Sequence, residues 1–313
     1  MKKILITGGN GLVGQGIKSI SNSYYHCYEF MYLGRNNCDL LNYNDTITFF
    51  ENYKPDYVIH LAANVGGLFK NMKYPVQMLE DNLLININVL MASHYVKVKK
   101  LVACLSTCIF PNEIKYPITE DQLHDGPPHY SNAGYAYSKR ILQTLCETYQ
   151  KQYNDNFICI IPTNIYGSND NFNLEDAHVI PALIHKCFLA KQSNNRFIVS
   201  GTGKPLRQFI YSIDLAKLIM WCLLEYNENK PLILCTDDGD ELTIEYVSKQ
   251  IAKEFDYEEH IYFDNTKADG QYKKTASNQL FRKYNQEFTF TSFNDGIRET
   301  IKWFNDNYPN VRK

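Results

Sequence analysis

The stretch Lys3-Ile-Leu-Ile-Thr7-Gly8-Gly-Asn-Gly11-Leu12-Val13-Gly14 decides how this chain must fold. Ile4, Leu5 and Ile6 run without polar alternation, the mark of a strand buried on both faces. Glycines follow at once, and a helical pattern over Gly11–Ser21 follows them. In that setting glycine permits a tight turn, lets backbone approach a pyrophosphate, and lets a helix pack closely on a strand. The helix N-terminus adds free amides and partial positive charge. Strand, glycine turn and helix in this order form a dinucleotide fingerprint, with Gly8, Gly11 and Gly14 shaping the turn and Leu12 and Val13 completing it.

Outward from that turn, strands are expected at Lys3–Thr7, Tyr28–Leu33, Tyr57–Leu61, Leu101–Leu105 and Phe157–Ile161. Helical patterns lie between them at about Gly11–Ser21, Tyr43–Asn52, Pro75–Tyr95 and Tyr130–Tyr153. Short apolar strands alternating with helices give right-handed βαβ units and a parallel sheet covered on both faces. The fold expected is therefore α/β, a Rossmann-type doubly wound parallel sheet. After Pro162 the regularity breaks. Ser168–Ala177, rich in Asn and Asp, reads as an ordered loop or a lid. Beyond it come a helix at Val179–Lys191, a strand at Phe197–Ser200, the run Arg207–Tyr211 and a helix at Asp214–Glu225 that returns to the main sheet. A strand after Pro231, a helix at Thr243–Phe255, a strand at Ile261–Phe263 and a helix ending near Trp303 complete the chain. Residues 1–163 with about 207–230 are expected to form the dinucleotide-binding domain. Residues 164–206 and 231–313 form a smaller C-terminal α/β substrate-binding domain intertwined with it.

Bulk properties exclude several classes. A net charge of −2 with scattered Lys and Arg offers no footprint for nucleic acid. No apolar run approaches the roughly 20 residues that span a bilayer, and the N-terminal apolar stretch is too short for a signal-peptide core. The expected location is cytoplasmic. Nine cysteines without a C-x-x-C pair fit buried reduced thiols and no metal site.

Arg35 follows the second strand about 20 residues past the glycines, where an NAD-dependent protein places a carboxylate on the ribose. Arginine there favours a 2′-phosphate, hence NADP(H); a solvated surface Arg is the competing reading. The third strand ends in His60-Leu-Ala62-Ala63, small residues across which a nicotinamide dinucleotide would lie. Tyr135 and Lys139, at i and i+4, project from one helix face. The ammonium is expected to lower the tyrosine pKa, so that Tyr135 donates a proton as hydride reaches a carbonyl carbon. Ser106, at the tip of the fourth strand, would orient the same carbonyl. Cys108 stands two residues after Ser106, where a simple reductase needs no thiol. With a cation nearby, its thiolate would be a competent base for removing a proton beside a ketone. Packing is its rival reading. His178, at the head of a helix, is the candidate acid on the opposite face, against the more common structural role of a lone histidine.

At these residues the chain resembles a known family. His60-Leu-Ala-Ala-Asn-Val-Gly-Gly-Leu-Phe69, Leu105-Ser-Thr-Cys-Ile-Phe-Pro111, Pro162-Thr-Asn-Ile-Tyr-Gly167, His178-Val-Ile-Pro-Ala-Leu183, Arg207-Gln-Phe-Ile-Tyr-Ser-Ile-Asp214 and Asp269-Gly-Gln-Tyr-Lys-Lys274 are similar to the GDP-L-fucose synthases, extended short-chain dehydrogenases. The resemblance implies a GDP-4-keto-6-deoxymannose 3,5-epimerase-4-reductase. Cys108 would be the base and His178 the acid at C3 and C5; Tyr135, with Ser106 and Lys139, would serve reduction at C4 by NADPH. It further implies cofactor contacts at Asp39, Leu40, Pro162, Asn164 and His178. Substrate contacts would come from Asn164, Val179, Leu183, Lys186, Ser200, Arg207 and Lys274 (or Lys273), the substrate being a GDP-linked nucleotide sugar. A homodimer built on the long helices of the cofactor domain is also implied.

Two positions depart from the family pattern. Ser200 stands where many members carry a Trp beside the base, and Lys186 where some use Arg on the diphosphate, which keeps charge but loses the bidentate fork. Three alternatives stand: a single-activity nucleotide-sugar reductase or 4-epimerase, which does not need both Cys108 and His178; an epimerase or reductase of a UDP-linked 4-keto-6-deoxy sugar; and a non-catalytic NADP-binding regulator.

Overall fold

A computed structural model describes residues 1–267, Asp269 and 272–313, with Leu68 and Phe69 described by backbone alone. Gly270 and Gln271 of the Asp269–Lys274 block lie outside the described residues.

The first half runs β1 (Lys2–Thr7), α1 (Leu12–Ile20), β2 (Tyr28–Leu33), α2 (Tyr43–Tyr53), β3 (Tyr57–His60), α3 (Leu68–Lys73), α4 (Pro75–Tyr95), β4 (Lys100–Cys104), α5 (Ala133–Tyr153) and β5 (Phe157–Pro162). The second half runs β6 (Asn164–Tyr166), α6 (Val179–Gln192), β7 (Phe197–Ser200), β8 (Leu206–Arg207), β9 (Phe209–Tyr211), α7 (Ser212–Leu224) and β10 (Leu232–Leu234). It ends with β11 (Leu242–Thr243), α8 (Ile244–Glu254), β12 (Ile261–Asp264), β13 (Lys273–Lys274), α9 (Gln279–Tyr284) and α10 (Phe293–Asn307).

Six strands form one parallel sheet in the order β10-β5-β4-β3-β1-β2. The chain steps from β1 outward to β2, then returns to β3 on the other side of β1. That reversal opens a crevice at the carboxyl ends of β1 and β3, where doubly wound sheets take their ligands. The lack of alternation in β1 now has its reason. Leu5 packs into the core beneath α2, α4 and α5, with Val89, Leu90 and Leu142. Ile4 and Ile6 enter the core beneath α1 and α7, with Ile17, Leu215 and Ile219. Each such side chain, fully removed from water, contributes about 1.5–3 kcal/mol.

A third core lies around α6, β7, α8 and α10, where Ile184, Phe197, Val247 and Phe304 are fully buried. Around it sit short pairings: β7 with β12, β6 with β9, and β8 between β11 and β13. Most expected boundaries move by a residue or two, and two differences have a visible cause. The helix expected from Tyr130 starts as a 3-10 turn over Tyr130–Asn132, with the His129 side chain accepting from Ser131 N, and becomes α at Ala133. The run Arg207–Tyr211 is broken at Gln208 into β8 and β9, because Gln208 turns its side chain inward to Ala276.

Candidate active site

The glycine turn is pressed between β3 and α1. Gly8 holds φ 69°, and a Cβ on it would sit 2.8 Å from Ala62 N. A Cβ on Gly14 would sit 2.5 Å from the Gly9 carbonyl oxygen. Gly11 caps α1 with no side-chain hydrogen bond, and no acid occupies the first turn where Leu12, Val13 and Gly14 lie. The result is a small backbone cradle at an uncapped helix N-terminus, which fits a pyrophosphate. Arg35, just past β2, is exposed and has no ion-pair partner among the described residues, as a 2′-phosphate contact requires. Asp39 is exposed and accepts from Leu41 N at 3.1 Å, while the half-buried Leu40 offers its carbonyl to Asn88 Nδ2 at 2.9 Å. Ala62 and Ala63 are half-buried past the end of β3, and Pro162 is buried at the end of β5. His60 is a core residue: it meets Thr7 Oγ1 at 2.8 Å and Asn86 Oδ1 at 3.0 Å, and burial lowers its pKa to about 3.

Four of the expected catalytic residues converge at the carboxyl end of β4. Ser106 caps the 3-10 turn Thr107–Ile109, its Oγ accepting from Cys108 N at 3.4 Å. Arg140 of α5 pins that turn by donating from Nε to the Ile109 carbonyl at 2.5 Å. The same stretch of α5 carries Tyr135 and Lys139, with Lys139 Nζ 5.8 Å from the Tyr135 ring centre. Lys139 is only 2% exposed and donates to the Cys104 carbonyl at 2.8 Å.

The electrostatics correct one expectation. Burial pushes the Tyr135 phenol well above its ordinary pKa, and the neighbouring Cys108 and Cys104 act in the same direction. Lys139 donates its ammonium to the Cys104 carbonyl and is itself lowered by burial. Tyr135 is thus a full phenol at neutral pH, the form that can give a proton. Burial also raises Cys108, against Lys274, the Ser106 hydroxyl and Lys139, which favour the thiolate.

The remaining candidates come from the second half of the chain. His178 occupies the N-cap position of α6 without a side-chain capping bond and is exposed; desolvation by the surrounding protein and then Arg312 hold it below its ordinary pKa. The loop before it is tied to α3 by Gly67 N donating to the Asp176 carbonyl at 3.2 Å. Asn164 Nδ2 donates to the Gln208 carbonyl at 2.9 Å, joining β6 to β9. Val179 and Lys186 are half-buried on α6, Leu183 is buried there, and Ser200 is exposed at the end of β7. Arg207 and Lys274 stand side by side, paired in register between β8 and β13.

Residues 4–234 match the NAD dependent epimerase/dehydratase family. The chain is 48% identical to the GDP-L-fucose synthase of Dictyostelium discoideum, over 100% of this chain and 98% of that protein. It is 30% identical to the Escherichia coli (strain K12) enzyme of the same name, over 99% of each. A crystal structure of a GDP-L-fucose synthetase from Naegleria fowleri bound to NADP superposes with a TM-score of 0.96 at 45% identity, covering 100% of this chain and 95% of that one. The chain belongs to the GDP-L-fucose synthase family.

Three residues of this family member escaped the sequence reading. Arg140 follows Lys139 directly, yet nothing in its spacing announces a tie to the Cys108 turn. Gln208 is 1% exposed and bonds Ala276 in both directions, Nε2 to the carbonyl at 3.0 Å and Oε1 from the amide at 2.7 Å. Asp170, 3% exposed in the Asn-rich loop, has Oδ2 buried without a hydrogen-bond partner. A polar residue inside an apolar run was the available signal for Gln208.

Proposed function

We propose that this chain is a GDP-L-fucose synthase, an enzyme that converts GDP-4-keto-6-deoxy-D-mannose to GDP-L-fucose with NADP(H) as cofactor. The observation that carries the reading is the Cys108 thiol held beside Ser106, Tyr135 and Lys139. A reductase uses the last three; the thiol supplies the group that inversion beside a ketone requires. The glycine cradle and the exposed Arg35 support NADP(H) in preference to NAD. Bound NADPH supplies the hydride that turns the C4 ketone into an alcohol.

The roles of the side chains follow from their protonation. Cys108 takes the proton at each of C3 and C5, while His178 returns one on the opposite face, so each inversion leaves the proton count unchanged. Without ligand the pair rests as thiol and neutral imidazole. The working thiolate–imidazolium form holds the same number of protons, so it is reached by internal transfer rather than uptake from solvent. Tyr135 then donates its phenolic proton to the C4 oxygen, with Ser106 orienting that oxygen and Lys139 fixing Tyr135 from the next turn. Arg207 and Lys274 face the diphosphate and sugar, with Lys186, Val179, Leu183 and Ser200 along the nucleotide. Asn164 couples the two regions. On this reading residues 1–163 with about 207–230 bind the cofactor, and 164–206 with 231–313 close over the sugar.

A homodimer is supported by an apolar stripe on α4, where Leu84, Ile87, Met91 and Tyr95 are exposed at helical spacing beside Tyr137 and Ile141 of α5. Sedimentation at twice the chain mass is the result it requires. A cytoplasmic location fits a chain in which no helix of the described residues is long and apolar enough to cross a membrane.

The test offers the protein GDP-4-keto-6-deoxymannose and its UDP counterpart with NADPH. One NADPH consumed per GDP-L-fucose formed is expected. Faster turnover of the UDP sugar would move the assignment to the UDP-linked alternative, and no turnover of either would leave the regulator reading.

A further inference from the structure

His60, at the end of β3, is wholly buried and belongs to a chain of hydrogen bonds whose direction the geometry settles. Its Nδ1 lies 2.8 Å from Thr7 Oγ1 at the end of β1, and its Nε2 lies 3.0 Å from Asn86 Oδ1 on α4. Thr7 Oγ1 already accepts from Leu61 N and Ala62 N, each at 3.2 Å. With both lone pairs engaged, the hydroxyl has only its proton left to offer, so Nδ1 is the acceptor. Asn86 gives the same answer from the other end. Its Nδ2 donates to the Ser138 carbonyl at 3.3 Å, so Oδ1 faces His60 and Nε2 must carry the hydrogen. The ring is therefore the neutral Nε2–H tautomer, in a line that runs one way from Thr7 through His60 and Asn86 to Ser138. Ser138 Oγ in turn donates to the Tyr135 carbonyl at 2.7 Å. All four residues of the line are at most 1% exposed.

Both ends of this line touch the site. The Ala62 amide that Thr7 holds is the atom nearest a Cβ on Gly8, at 2.8 Å, so the line begins against the glycine turn. It ends on the stretch of α5 that carries Tyr135 and Lys139. Two other ties of the same stretch lead elsewhere: Lys139 and Arg140 reach the Cys104 and Ile109 carbonyls, on β4 and the 3-10 turn after it. A fully satisfied buried network fixes one arrangement, and loss of a member leaves its neighbours unpaired. Resting on the reductase half of the function proposed above, we propose that His60 is a positioning residue for hydride transfer, carrying the place of the glycine cradle through Asn86 to α5 and so holding Tyr135 and Lys139 in register with that cradle. Cys108 stands on the β4 side, outside the line, so proton removal at C3 and C5 does not depend on it.

The first measurement needs neither sugar nor cofactor. Proton–nitrogen correlation spectra of protein with labelled histidine rings, with His60 assigned by its loss in His60→Gln, should show Nδ1 unprotonated and Nε2 protonated. The opposite tautomer, or a ring exchanging between the two, would break the line. The second measurement compares the two activities. In Asn86→Leu, kcat for reducing an already inverted sugar falls by about 10–100-fold, while KM for NADPH and deuterium exchange at C3 and C5 without NADPH stay within about threefold. Thr7→Val repeats the loss, and Thr7→Ser, which keeps the hydroxyl, restores the rate. His60→Gln, whose amide replaces Nε2 but not Nδ1, carries the same expectation should Asn86→Leu fold poorly. Unchanged reduction in a folded variant, or exchange and reduction falling together, would overturn the proposal and leave His60 a core residue only. A wild-type protein without turnover would end the functional reading and this role with it, yet leave the ring spectrum as found, so the two failures are separate results.

Discussion

Asp170 is the place where burial and charge conflict most openly. Its Oδ1 accepts from Asn171 N at 2.7 Å, while Oδ2 is buried without a partner. Burial raises the carboxyl to about 7 from 3.8, with the Asn171 amide and Arg312 working against the rise. The folded state therefore keeps its proton between about pH 4 and 7, where the unfolded chain has lost it. More protons bound in the folded state means that stability falls as pH rises through this window, and the loss is complete above pH 7. The difference of about 3 units corresponds to about 4 kcal/mol at full burial. Asp170→Asn keeps the acceptor for Asn171 and removes the charge, but it buries an amide donor that costs about 1–3 kcal/mol. At pH 8 the variant should be more stable by about 1–3 kcal/mol, or a Tm rise of a few degrees for a chain of this size. At pH 5 the advantage disappears, because Asp170 is then neutral as well. Calorimetry of both proteins from pH 5 to 8 reads this directly. Parallel Tm curves across the range would refute the reasoning.

Gly14→Ala puts a methyl carbon 2.5 Å from the Gly9 carbonyl, so the cradle must open. NADPH affinity should fall at least tenfold by fluorescence titration, and unchanged binding would remove the cradle from the account. Arg35→Ala should weaken NADPH by about 10–100-fold, the worth of a charge-assisted phosphate contact, while leaving NADH nearly unaffected. Equal losses would make Arg35 a bystander. Lys100, 3% exposed, donates to the Cys222 carbonyl at 2.7 Å and to the Tyr226 carbonyl, and burial lowers its pKa to about 8. A lowered lysine pKa means the unfolded chain binds the extra proton between pH 8 and 10.5, so this group adds stability as pH rises through that window. Lys100→Met should flatten the rise, as measured by urea unfolding at pH 7 and 10.

The large elements were legible because their physics is local. Buried parallel strands are apolar throughout, so β1 and the cores of β3, β4 and β5 stood out, and Pro75 at the first helical turn marked the start of α4. The strands β6, β8, β11 and β13 are two or three residues long, and each exists through a partner distant in sequence. No window around Lys273–Lys274 could announce the pairing with Leu206–Arg207. The site divides in the same way. Spacing brings Tyr135 and Lys139 together, and Ser106 and Cys108 share one turn. Spacing could not say that the Lys139 ammonium turns to the Cys104 carbonyl, nor that burial raises the Tyr135 phenol. Nor could it place Lys274 beside Arg207, which the pairing of β13 with β8 decides.

We propose that one thiol, Cys108, gives a reductase site its second activity. Deuterium entry into GDP-4-keto-6-deoxymannose, incubated with the protein in deuterated water without NADPH, tests it most directly. Exchange at C3 and C5 is expected from the wild-type protein and none from Cys108→Ser, which should still reduce a sugar already inverted at both carbons. Exchange at the wild-type rate in Cys108→Ser would contradict it.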